Sequence, residues 1–175
     1  RDKLPDGPGW KAQRNRALIA TVLGGGLKVA AVLEMREGWI EPKQPDGSLY
    51  IEVHQVGAGR RHRTRVAAWA AAVLVGWVEA RAEFGLPGEL VFPASTIGGT
   101  LHKSTVYRQV AAVLAEAGVD PDVIKRRGAR TLRNTYAMRE LSEGQSLELV
   151  GEYLGLRTDR SVEYYEEQLK RKQKQ

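Results

Sequence analysis

Apolar residues recur at helical spacing from Trp10 to Leu23 and predict a first helix there. Gly24-Gly25-Gly26 is expected to end it, because three glycines cost a helix interior roughly 3 kcal/mol relative to alanine. A second helix restarts over Lys28 to Met35. The pattern then shifts to short runs at Trp39-Ile40, Leu49 to Val56 and Thr64 to Ala67, read as strands of a small antiparallel sheet. Turns are placed at Gln44 to Gly47 and Gly57 to Arg61. Ala67 to Phe84 reads as a long helix with Trp69, Val73, Trp77 and Ala80 in the core. Leu90-Val91-Phe92-Pro93 is a short buried run, and Gly98 to Leu101 turns into a helix from Ser104 to Ala117, with Ser104 as N-cap and Gly118 as stop. After a loop at Asp120 to Val123, helices over Thr131 to Leu141, Leu147 to Leu154 and Ser161 to Lys172 complete the pattern. The expected fold class is mainly α with one small antiparallel sheet. It forms one domain over residues 10–175, behind a Pro/Gly-rich linker or loose end at 1–9.

At 175 residues the chain is long enough to bury one substantial core. It contains no cysteine, which excludes disulfides and thiolate metal sites. His54, His62 and His102 show no ligand-like spacing, so no zinc is expected. No run approaches the ~18 apolar residues of a membrane span, and no signal peptide is evident, so an intracellular protein is expected. Arg1 stands where a methionine would, which suggests upstream sequence.

Charge changes the picture. The net charge is +6 with a pI near 9.7, and almost half of the 27 lysines and arginines fall in three windows: 54–65, 122–133 and 170–174. Each window alone could be solvated surface; three together point to a polyanion. The stretch from Lys125 to Tyr165 carries candidate chemistry. Lys125, Arg126, Arg127, Arg130 and Arg133 lead into an apolar-periodic helix, and the tyrosine pair Tyr164-Tyr165 follows a second, Gly-punctuated one. Arg60 and Arg61 sit on a hairpin tip, with Arg63 just beyond. Lys103, Tyr107 and Arg108 fall on or near one helix face, and Lys28 stands at a helix mouth. These positions suit phosphates, while Lys28 taken alone also fits a solvated first-turn lysine, and the hairpin tip a solvent-facing loop made soluble by charge.

The order of these parts resembles the catalytic domain of the tyrosine recombinases, the family of phage integrases and chromosome-dimer resolvases. The resemblance runs from Arg14-Asn15-Arg16 to Tyr165. Gly25-Gly26-Leu27-Lys28 is similar to the turn carrying the family's first catalytic arginine, and Gly57-Ala58-Gly59 to its Gly-Lys-Gly hairpin tip. Leu90-Val91-Phe92-Pro93 resembles a Leu-Phe-Pro landmark. Arg130-Thr131-Leu132-Arg133-Asn134 stands at the His-x-x-Arg-His box, and Leu154-Gly155-Leu156 at the Leu-Gly-His motif. Tyr165 lies nine residues past Leu156, which selects it over Tyr164 as the nucleophile equivalent.

The resemblance implies cleavage of a phosphodiester by a tyrosine oxygen, with the bond stored as a phosphotyrosine and no cofactor or metal required. The tyrosine, with a pKa near ~10, must lose its proton, arginine forks must match the charge gained at the phosphate, and a lysine must protonate the leaving oxygen. Arg133 and Tyr165 are retained, while four of the six positions differ. Lys28 replaces an arginine and loses the planar fork. Ala58 replaces the lysine, Arg130 replaces one histidine and Leu156 the other. Impaired cleavage is therefore expected.

Implied phosphate-clamp and nucleophile residues are Lys28, Arg130, Arg133 and Tyr165. DNA contacts are expected from Arg60, Arg61, Arg63, Lys103, Arg108, Arg126, Arg127 and Arg157. Three functions remain open: a working but atypical recombinase on double-stranded DNA, a DNA-binding pseudo-recombinase, and a protein-interaction module docking through its C-terminal segment. Self-association on DNA through that segment, and a cytoplasmic, nucleoid-associated setting in a bacterium or phage, are further implications. Taken alone, Arg133 also fits a structural ion-pair arginine and a tyrosine a packed aromatic. Asn134 and Thr135 fit residues bonded to neighbouring backbone.

Overall fold

The computed structural model describes residues 9–175 apart from 55, 58, 157 and 158, and the backbone alone at 159–162. The linker at 1–8, the tip residue Ala58 and Arg157 therefore lie outside the described residues. Seven helices and two hairpins are formed by these residues. Helix α1 spans Trp10–Gly25 and α2 Val29–Glu34; a 3-10 turn at Glu37–Trp39 follows. Strands β1 (Leu49–Val53) and β2 (His62–Val66) pair antiparallel, with Leu49 opposite Val66 and Val53 opposite His62. Helix α3 spans Ala68–Glu83, and β3 (Pro93–Ser95) and β4 (Gly98–Thr100) form a second, smaller hairpin. Helices α4 (Lys103–Glu116), α5 (Pro121–Ser142), α6 (Leu147–Tyr153) and α7 (Asp159–Gln173) close the chain. The mainly helical class with a small antiparallel sheet is as the sequence indicates. No helix among the described residues is long and apolar enough to cross a membrane.

Several local readings are corrected. Gly24 and Gly25 are helical, and α1 ends one residue later at Gly26, in the left-handed region at φ 66°. The glycines serve packing: a Cβ on Gly24 would lie 2.2 Å from the Cβ of Ala70, so the pair brings α1 and α3 together closely. That approach also sets the phase of α3. Its buried stripe is Ala70, Leu74, Trp77 and Arg81, and Trp69 is 45 % exposed rather than in the core. A helix apolar on most faces gives little indication of its phase.

The segment Asp120 to Val123 is not a loop. Asp120 accepts from the Asp122 N–H as N-cap and Pro121 opens α5, which runs through the basic cluster with one break at Arg127 (φ −143°). The N-cap of α4 is His102, not Ser104, and its ring accepts from the Ser104 N–H. Trp39 lies in the 3-10 turn instead of a strand, and only Ile40 bridges to Ile51.

Two buried arginines fasten the irregular Leu86–Ala94 region. Arg81 donates to the carbonyls of Leu90, Pro87 and Gly88 and pairs with Glu37 at 2.9 Å. Arg14 donates to the Pro93 and Ala94 carbonyls at 2.8 and 3.2 Å. These bonds give donors to the carbonyls of that run and of the first residues of β3.

Gly26 carries the tightest constraint next to the site. A Cβ there would lie 2.4 Å from the buried Tyr136 ring, in a left-handed backbone. Gly26→Ala is expected to destabilise the fold by about 2–4 kcal/mol through strain and overpacking, read as a lowered urea midpoint with an unchanged slope.

Candidate functional site

Arg133 projects from α5 into the junction of three elements. Its Nε donates to the Gly26 carbonyl at 3.0 Å and its Nη2 to the Leu154 carbonyl at 2.8 Å. Both acceptors lie at helix C-termini, where unsatisfied carbonyls and the negative end of the helix dipole favour a cation. Nη1 takes part in neither bond. Burial lowers the Arg133 pKa from its ordinary value, an effect opposed by Tyr165 and reinforced by Arg130.

Tyr165 is 9 % exposed and its hydroxyl donates to Asn134 Oδ1 at 3.0 Å. Asn134 thus bonds the tyrosine instead of neighbouring backbone, whereas Thr135 does bond the Thr131 carbonyl. Burial raises the Tyr165 pKa above its ordinary value, against the pull of Arg133 and Arg130. Only the protonated phenol can make the bond to Asn134. Tyr164 packs edge-on against Tyr165 at 5.3 Å between ring centroids, and is 43 % exposed.

A cavity of about 260 Å³ gathers these groups: Arg127, Arg130, Arg133, Asn134, Tyr164 and Tyr165, with Leu156 in its wall. The break in α5 falls at Arg127, one of these lining residues. Arg127 and Arg130 also line a groove of about 490 Å³ between α4 and α5, together with Tyr107, Arg108, Lys125 and Arg126. One basic surface therefore runs from this groove to the tyrosine hydroxyl. Lys103 stands apart, at the first turn of α4.

Lys28 lies across the Leu154–Leu156 turn. As the N-cap of α2 it lines a second, smaller cavity of about 60 Å³ with His54, Arg60, His62, Leu154 and Gly155. Arg60 does not project from the hairpin; its Nη1 turns back to the Leu156 carbonyl at 3.5 Å. Arg61 and Arg63 lie on the outer face of the sheet. Arg61 pairs with Glu52, and Arg63 pairs with Glu41 at 2.6 Å while stacking 3.7 Å from the Tyr50 ring centroid. His62 and Asn134 are the site residues that the motif reading passed over. For His62 the available signal was alternation: with Thr64 and Val66 inward, His62 is inward as well.

Among solved structures, the chain is similar over 93 % of its length to the XerH site-specific recombinase bound to difH substrate, with TM-score 0.74 and 21 % identity. It is similar over 87 % to the XerA recombinase (TM-score 0.69, 16 % identity) and over 87 % to a lambda integrase fragment in a dimer bound to a COC' core site (TM-score 0.55, 20 % identity). The fold is that of a tyrosine-recombinase catalytic domain. It spans 45–51 % of the length of those three proteins. No protein-family model matches the sequence, and neither does any curated protein.

Within this recombinase fold, Arg133 is a fastening as well as a site group. Arg133→Ala removes two charge-assisted bonds and should lower stability by about 3 kcal/mol, measured by urea denaturation. Arg130→Ala removes an exposed side chain and should stay within about 0.5 kcal/mol of wild type.

Proposed function

We propose that this domain binds duplex DNA and that Tyr165 attacks a phosphodiester to form a phosphotyrosine, at a rate reduced by the altered site. The observation that carries this reading is the convergence of Arg127, Arg130 and Arg133 with the Tyr165 hydroxyl in one cavity. Guanidinium groups placed around a hydroxyl fit a phosphate and the charge it gains during displacement. The basic groove leading to the cavity would hold the flanking backbone. XerH bound to difH and lambda integrase bound to a core site are DNA-bound structures of this fold.

A second reading, DNA binding without cleavage, has its own support. Two of the Arg133 donors are occupied by backbone, the Tyr165 proton is held on Asn134, and Leu156 offers no donor to the cavity. Losing one transition-state donor typically costs ~10²–10³-fold in rate. Self-association on DNA would use the exposed end of α7 beyond Leu169, because Tyr165 and Leu169 pack in the chain's own core.

Affinity for a random-sequence duplex should fall about 10²–10³-fold between 50 and 200 mM salt if some five cations neutralise phosphates. Salt-independent affinity would remove the DNA reading. The double change Arg126→Glu and Arg127→Glu should weaken binding whatever the sequence, more than Arg61→Glu, whose parent side chain is already paired with Glu52. Gel-shift titration distinguishes them.

A denaturation-resistant protein–DNA adduct that disappears in Tyr165→Phe establishes cleavage. Salt-sensitive binding with no adduct selects the non-cleaving reading.

A further inference from the structure

The inward face of β2 reads His62, Thr64, Val66, and His62, at its start, lies on Gly155 beside the Leu154 carbonyl that accepts from Arg133. His62 pairs in register with Val53, so the strand ladder fixes its position. Its Nδ1 lies 2.9 Å from the Arg60 carbonyl oxygen. A carbonyl only accepts, so Nδ1 carries the proton and Nε2 is the nitrogen able to exchange one. The flat of the ring lies on the Gly155 backbone, where a Cβ would come within 2.7 Å of it. Glycine at 155, at φ 66°, thus makes both the turn and the room for the imidazole.

We propose that His62 donates the proton to the DNA oxygen that departs when Tyr165 attacks the phosphate. This rests on the phosphotyrosine reading above. In the step, the Tyr165 oxygen forms a bond to phosphorus and the bond from phosphorus to the bridging oxygen breaks. That bond's electron pair stays on the departing oxygen, which takes the Nε2 proton. The phenol proton passes to bulk water, and water later reprotonates His62.

The charged groups around His62 are consistent with this role. Lys28 comes from the start of α2, Arg133 from α5 and Arg60 from the hairpin itself; all three act on the imidazole. His54, stacked on Trp39 at 4.8 Å, lines the same small cavity. Burial first, then these cations, push the His62 pKa below its ordinary 6.5, with the Arg60 carbonyl opposing. A cationic imidazolium in such surroundings is a readier acid than a guanidinium, whose pKa above ~12 makes proton release slow to compete. An incoming phosphate supplies the opposite charge that the protonated ring lacks in the free protein. Lys28, which lines the same small cavity, is the rival donor.

The test measures adduct formation by the full chain on two randomised duplex pools. One pool has ordinary phosphates. The other carries a single phosphate whose bridging oxygen is replaced by sulfur, a leaving group that departs without a proton. His62→Gln should slow adduct formation about 10²–10⁴-fold on ordinary DNA and leave the sulfur-bridged rate unchanged, which also shows that the variant is folded. On ordinary DNA the wild-type rate should fall as pH rises through the imidazole range, and His62→Gln should lose that limb while His54→Asn keeps it. Equal losses on both pools, or no loss on ordinary DNA, would overturn the role of His62. A fall in rate only at alkaline pH would give it to Lys28 instead. If wild type forms no Tyr165-dependent adduct even on sulfur-bridged DNA, the phosphotyrosine reading fails, and His62 as donor fails with it.

Discussion

Buried guanidinium groups donating to backbone carbonyls hold this fold together where its regular elements end. Arg133 joins the C-terminal ends of α1 and α6 to the middle of α5, through the carbonyls of Gly26 and Leu154. Arg81 does the same for the irregular run between α3 and β3, and Arg14 for the start of β3. A guanidinium suits this task because its donors lie in a fixed plane and its charge strengthens each bond. Charge brought into the interior is costly, however, and is tolerated where several acceptors meet it. The junction that needs Arg133 for its carbonyls is the junction where the tyrosine lies. Stability and site geometry therefore share one side chain.

Electrostatics divides the hairpin into two faces. Outward, Arg61, Arg63 and Arg65 are each matched by a carboxylate: Glu52, Glu41 and Asp46. The Asp46 carboxyl is held down to about 2, chiefly by its bonds from Ser48 and then by Arg65. Around the tyrosine cavity the arrangement is different. Arg127, Arg130 and Arg133 have no ion pair among the described residues, although they line the same space. Like charges gathered without acids repel one another, and an anion such as a phosphate would relieve that repulsion. The contrast between faces says more about where a polyanion fits than the density of arginines in the sequence does.

Periodicity made the elements legible, and spacing made Arg133 and Tyr165 legible, because each depends on residues near in sequence. The failures came where distant residues decide. The phase of α3 was read from its tryptophans, yet Gly24 on another helix requires the small Ala70 to face it. Gly24 and Gly25 read as a helix break although packing against α3 and β2 keeps them helical. The carboxylates beside Arg61 and Arg63, Glu52 and Glu41, are likewise brought alongside only by the folded hairpin. The Asn134 bond to Tyr165 depends on α7 returning to α5. His62 differs from these: strand alternation was enough to point it inward, but attention to the tip motif passed over it.

His62 is held by its register with Val53, by the Arg60 carbonyl and by the Gly155 backbone. A donor oriented before substrate arrives costs little reorganisation during the reaction. Alanine at the tip and leucine in the tyrosine cavity would then mark a proton donor moved from the tip to the inner face of the sheet, and need not mean that proton delivery has been lost. The cost of such a move is a narrower working range, since burial and the neighbouring cations lower the pKa of the imidazole. A site of this kind would lose rate as pH rises through the imidazole range, which is behaviour a lysine at the tip would not give.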